Sequence, residues 1–246
     1  MGKPRVPLDP VADLKRRLAR QRRASIDVPV TKVRACVRTW WTDHDFDKCP
    51  SAVGKRIALA LIEQRKIEHK LAGISILQDQ GDQLRVTDLP AFARLFEGGH
   101  LADDVVVDWF TSKVLVTLLD RTAGRAEVAR QLAAWRHADT TWQRRAACLA
   151  FLELARDGDA ALDGLVSLAL AICATVVWSH ERTDQVAVGW LLRELSRGNA
   201  GRVEAFFRRH ARLMSKQCAR HAVSKLPVAL RTALLAHHQR ATSLRR

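Results

Sequence analysis

Residues Asp103–Asp120 read DDVVVDWFTSKVLVTLLD, an aspartate followed by a run of Val, Leu, Trp and Phe with one further carboxylate, Asp108, a turn inside. Apolar residues recur at helical and not at alternating spacing, so the stretch is an α-helix opened by an aspartate cap. Asp108, Thr111 and Ser112 fall at i, i+3 and i+4, which in a regular helix makes a short polar stripe on an apolar rod. Asp108 has two readings. It favours the positive N-terminal end of the helix dipole, or it is a carboxylate turned toward a groove.

The same helical rhythm extends in both directions. Toward the N-terminus, residues 8–24 form a basic amphipathic helix with Leu8, Val11, Leu14 and Leu18 on one side, and Ser25 to Pro29 is a break. Residues 30–41 make a second helix, and a third starts at Cys49-Pro-Ser and runs to about Leu71. A turn at Gly81 and a short helix over Thr87–Phe96, stopped by Gly98-Gly99, lead into the Asp108 helix. Toward the C-terminus, Thr122–Gly124 is a turn and Glu127–Trp135 a helix. Thr140/Thr141 caps WQRRAACLAFLELA, and an apolar helix spans about Leu162–Trp178. Thr183/Asp184 caps QVAVGWLLRELSR, and further helices lie near 201–210, 215–225 and 228–240. Ala and Leu dominate, Gly (12) and Pro (7) are few, and no stretch alternates as a strand would. The fold class is therefore all-α. Antiparallel pairs recurring every ~40 residues predict an α-α superhelix, a HEAT-like repeat solenoid of roughly six helix pairs. Residues 1–246 are expected to form one such domain, with a basic N-terminal helix over 1–24 and a basic C-terminal region over 201–246.

Charge is distributed unevenly. Of the formal net charge of +15, residues 1–23 hold eight Lys/Arg against two Asp, and residues 201–246 hold eleven against one Glu. The stretch between them is close to neutral. Two basic flanks around a neutral middle suit a polyanion gripped on both sides of a central site. A membrane surface or an acidic protein satisfies the same field. The five cysteines contain no CxxC pair, and His237 and His238 are adjacent and so face different ways on a helix. Neither pattern makes a metal site or a disulfide frame; the cysteines read as small buried hydrophobes of a reducing compartment. No N-terminal apolar segment is of signal-peptide type, and the longest apolar run, near Leu165 to Trp178, is too short and too interrupted to span a bilayer, so a soluble cytoplasmic, nucleoid-associated monomer without cofactor is expected.

Three helices carry polar interruptions. Besides Asp108, there is Trp142-Gln143-Arg144-Arg145-Ala146-Ala147, where Arg145 sits in an apolar row, and Val188-Gly189-Trp190-Leu191-Leu192-Arg193, where Trp190, Arg193 and Arg197 share a face. Arg145 either snorkels, pairs with a carboxylate, or holds a phosphate. Trp190 alone reads more readily as core than as a ligand platform, and Gly189 as a close-packing site. Together they offer a carboxylate, guanidiniums and an aromatic face, with no nucleophile triad and no Gly-rich phosphate loop. That inventory suits an N-glycosidic bond, whose sugar develops positive charge as it breaks.

On these residues the chain resembles the DNA alkylation repair glycosylases built from HEAT-like repeats (AlkD type). The matching pieces are Val107-Asp108 within DDVVVD, WQRRAACLAFL at 142–152, VGWLLRE at 188–194 and MSK at 214–216, over about Pro29 to Lys225. The resemblance implies removal of cationic N3- and N7-alkylated purines from duplex DNA, without metal or cofactor. It implies Asp108 as the catalytic aspartate, Arg145 as the active-site arginine, Trp190 as a wall against the lesion nucleotide's sugar, and Arg193 as a phosphate contact. Arg144, Arg197 and Lys216 join them as DNA-binding candidates. Two positions depart from the pattern: Asp104 stands where a Trp is frequent, and no aromatic occurs near Ser25 to Asp27. A non-catalytic helical-repeat nucleic-acid binder and a HEAT-type adaptor for an acidic protein are the competing readings.

Overall fold

The computed structural model describes residues 6–22, 29–121 and 124–243, and every regular element among them is helical. The chain divides into two compact units, Met1–Ala123 and Gly124–Arg246.

The first unit contains α1 (Pro10–Arg22), α2 (Val30–Asp43), α3 (Ser51–Ile62), α4 (Ile67–Asp79), α5 (Leu89–Glu97), α6 (Asp104–Phe110) and α7 (Val116–Arg121). Helix α4 lies at its centre, with α2, α3 and α6 packed around it and α1 laid across α2 and α3. Leu14 and Leu18 of α1 are buried, but Leu8 precedes the helix and is fully exposed, so the apolar side expected from residue 8 onward begins later. The break expected at Ser25–Pro29 falls, except for Pro29, outside the described residues.

The helix expected from Cys49 to Leu71 is two helices. The chain turns over 63–66, a charged stretch without Gly or Pro. Lys70 explains how: its Nζ donates to the carbonyls of Ile62 (2.9 Å) and His100 (2.6 Å), so a side chain from α4 caps the end of α3. Gly73 completes the hairpin, since a Cβ there would lie 2.4 Å from the Ala58 carbonyl oxygen.

Asp103 caps α6 as the sequence predicts, its Oδ1 accepting from the amides of Val105 (2.9 Å) and Val106 (3.2 Å), a contact stabilising by ~1 kcal/mol. Phe110 then packs edge-on against Phe92 and Phe96 of α5. Between α6 and α7 the helix widens into a π-turn over Thr111–Leu115. The regular i, i+3, i+4 stripe fails there. Asp108 is half-buried, Thr111 is buried with its Oγ1 lacking a hydrogen-bond partner among the described residues, and Ser112 is exposed and donates to the Trp109 carbonyl.

The second unit contains α8 (Arg125–Ala134), α9 (Thr141–Leu149), α10 (Leu165–Val176), α11 (Arg182–Leu195), α12 (Ala200–His210), α13 (Lys216–Ala222) and α14 (Val228–Ser243). Alternate helices line up: α9, α11 and α13 form one row with α11 in the middle, and α8, α10, α12 and α14 back it. Thr140 caps α9 by accepting from the Gln143 amide. The helix ends at Leu149 and does not run on through residue 155. Thr183 and Asp184 do not cap α11; Glu181 holds that position, and Asp184 lies inside the first turn, fully buried. The reason is its partner: Arg144 donates from Nε (2.9 Å) and Nη2 (2.6 Å) to Asp184 Oδ2.

Gln185 ties the row together. Its Nε2 donates to the carbonyls of Val177, Ser179 and Leu213, and its Oε1 accepts from the Ser215 amide. One amide thereby fixes the end of α10, the loop after it and the start of α13.

Candidate functional site

In the first unit the candidate residue is Asp108, half-buried on α6 one turn before the π-turn. Such turns recur at functional positions because they reset which side chains face out. Asp104 is exposed at the start of the same helix. Ser25 to Asp27, near which no aromatic occurs, lie outside the described residues.

In the second unit the row α9–α11–α13 gathers most of the others. Arg145 is buried, 3% exposed, with its guanidinium carbon 5.0 Å from the centre of the half-buried Trp190 ring. An arginine desolvated over an indole is held by ~2 kcal/mol of cation–π attraction. His221 of α13 also meets the indole edge-on, with ring centres 6.1 Å apart. Burial and the neighbouring Arg193 both lower the His221 pKa, so the imidazole is neutral at pH 7. Trp190 is therefore in contact with both a cation and a neutral ring.

Gly189 allows this. A Cβ at that position would lie 2.9 Å from the Cys218 carbonyl oxygen and 2.9 Å from His221 Cβ. We expect Gly189→Ala to lower stability in chemical denaturation. The helix-propensity gain of ~1 kcal/mol is outweighed by ~1–3 kcal/mol of overpacking against backbone. An unchanged or higher denaturation midpoint would show that α11 and α13 separate freely.

Arg193 and Arg197 converge on a residue not singled out in the sequence. Glu194 is buried and receives Arg193 Nε on Oε1 (2.8 Å), with Arg156 Nε (3.0 Å) and Arg197 Nε (2.9 Å) on Oε2. Burial alone raises a carboxyl pKa, but the hydrogen bonds from Arg193 and Arg156 outweigh it and hold Glu194 below the usual range, hence ionised. Arg144 is committed elsewhere, to Asp184 and to the carbonyls of Ala138 and Asp139. Lys216 stands exposed at the start of α13, after the Ser215 cap.

Thiol chemistry has no foothold in this row. Cys148, Cys173 and Cys218 are fully buried and unbonded, and burial pushes the Cys218 thiol up to about 12 and those of Cys148 and Cys173 well above their ordinary value. Among the described residues, no three His, Cys, Asp or Glu side chains gather as a metal site. No helix among them is long and apolar enough to cross a membrane.

The model of the DNA alkylation repair enzyme family matches residues 12–226, which include Asp108, the Arg145–Trp190 pair and the Glu194 cluster. The chain belongs to that family. The match begins well before Pro29, the start expected from the motifs, and so takes in α1 as part of the family fold. A solved structure described as "Predicted DNA alkylation repair enzyme from Enterococcus faecalis" aligns with a TM-score of 0.66 and 17% identity. The alignment covers 82% of this chain and 87% of that one, so the two share a fold. No curated protein matches the sequence. This chain carries a buried arginine against a tryptophan, a half-buried aspartate and a carboxylate ringed by three arginines.

Proposed function

We propose that this alkylation repair enzyme is a DNA glycosylase that hydrolyses the N-glycosidic bond of cationic N3- and N7-alkylated purines, 3-methyladenine and 7-methylguanine, in duplex DNA. The observation that carries the reading is the buried Arg145 stacked on Trp190 in a chain of this family. An arginine kept charged on an indole, in a row edged with further arginines, suits a sugar–phosphate better than a protein core.

An alkylated purine already bears a positive charge. When its bond to C1′ breaks, the electron pair goes to the base, which leaves neutral, so no general acid is required. The charge passes to the deoxyribose as an oxocarbenium ion. Asp108 is assigned to stabilise that ion and to orient the water that adds to C1′. Trp190 is assigned to the sugar of the lesion nucleotide, Arg145 and Arg193 to its flanking phosphates, and Arg197 and Lys216 to the backbone beyond. Arg144, bound to Asp184, is assigned to hold the row in place more than to touch DNA. The helix pairs of each unit are read as HEAT-like repeats.

The test is release of 3-methyladenine and 7-methylguanine from methylated duplex DNA by the purified protein, with the free bases resolved chromatographically. Multiple turnovers of release are expected, and no release at enzyme excess would discard the assignment. The exposed Asp104, where a Trp is frequent in the family, favours the second reading, a non-catalytic duplex binder. That protein would bind methylated DNA tightly and release nothing.

A further inference from the structure

Glu194 stands out as a buried carboxylate whose three partners all reach it in the same way. Arg156 arrives from the short helical turn Leu154–Arg156, Arg193 from the preceding position on α11, and Arg197 from one turn further along. Each uses its Nε. The carboxylate side chain is 3% exposed while those of the arginines are 54%, 32% and 45% exposed. Among the described residues no hydrogen bond engages the Nη atoms of the three. For Arg156 and Arg193 the Nε contact is a hydrogen bond, which restricts the guanidinium yet leaves its Nη donors for a second anion; Arg197 is held by an ion pair. Three cations around one anion leave the cluster at +2.

We propose that Glu194 is a positioning residue that organises Arg156, Arg193 and Arg197 into a preformed clamp for consecutive phosphodiesters of the DNA backbone. This rests on the reading of duplex DNA as substrate and extends it by assigning Arg156 and Glu194, which face no reacting atom. Exposure of the cationic ends spares their desolvation in any case; what suits them to a further anion is that their Nη donors are not used within the cluster. Unrestrained surface arginines bind phosphate less well, because each must be immobilised on binding. Fixing them beforehand removes that cost.

The clamp makes a prediction whose sign opposes simple charge counting. Glu194→Gln keeps the size of the side chain and raises the net charge by one. If Glu194 were merely an opposing charge, the variant would bind DNA more tightly. If it orients the guanidiniums, the variant binds more weakly, about tenfold at 0.1 M salt. The slope of log affinity against log salt should also become shallower by about one, as one phosphate contact is lost.

Duplex affinity is to be measured across a salt series for the wild type, Glu194→Gln and Arg156→Lys, with circular dichroism to show that each is folded. Arg156→Lys keeps the charge but has no fork to bridge carboxylate and phosphate, so a loss of about fivefold is expected. Equal or tighter binding by a folded Glu194→Gln overturns the clamp while leaving the DNA reading intact. If Glu194→Gln does not fold, undiminished binding by Arg156→Lys overturns it instead. Wild-type protein that shows no salt-dependent duplex binding overturns both.

Discussion

Asp108→Asn should slow base release by about two to three orders of magnitude while leaving DNA binding at least as tight as in the wild type. Removing a preorganised group that faces developing charge slows the chemical step by about 10²–10³. Asparagine is isosteric and keeps the hydrogen-bonding edge, so α6 and the π-turn after it should persist; the Asp103 cap is untouched. What vanishes is the negative charge that offsets positive charge on the sugar. Binding should not suffer, because a carboxylate near a phosphate backbone is repulsive in the ground state. Single-turnover release of 7-methylguanine, measured beside duplex affinity, separates the two quantities. Equal losses in both would make Asp108 a structural residue, and undiminished release would remove it from the mechanism.

The second large effect concerns stability. Asp184 is fully buried, and its Oδ2 takes two hydrogen bonds from Arg144, whose side chain is 18% exposed. Asp184→Ala would strand that guanidinium, at a cost of about 3–5 kcal/mol. A domain's whole stability is about 5–15 kcal/mol, so the loss removes a large share of it and the denaturant midpoint of the second unit should fall steeply. Replacing both partners with apolar residues, as Asp184→Leu with Arg144→Met, should recover most of the loss, since breaking a buried pair costs more than deleting it. Denaturant midpoints of the single and double variants check this. A mild single variant, or a double variant no better than the single, would show that the pair is not what holds the starts of α9 and α11 together.

Helix content was legible in the sequence where a helix start carries its own signal. Asp103 and Thr140 accept from the amides that follow them, and the sequence marks both. Boundaries were obscure where the determinant is distant. The turn over 63–66 is stopped by Lys70 reaching back from the next helix, and Asp184 looked like a cap because its partner Arg144 lies in a different helix. Long-range hydrogen bonds leave no local pattern to read. The same holds for the site. The motifs around Asp108, Arg145 and Trp190 could be recognised piecewise, but the approach of Arg145 to the indole depends on α9 lying beside α11. Glu194 lies within the VGWLLRE tract but its immediate neighbours do not mark its role, because a Glu next to Arg on a helix usually faces water. The i, i+3 spacing of Glu194 and Arg197 was its one local sign. The π-turn had none.

The concealment of the cysteines acquires a meaning in light of the chemistry proposed. Agents that methylate purines also methylate thiolates, the best nucleophiles a polypeptide offers. Here Cys36, Cys148, Cys173 and Cys218 are buried, and burial keeps each of them protonated. Only Cys49 is partly open to solvent. On the chemistry proposed, four of the five thiols are thereby shielded from the agents that create the substrate.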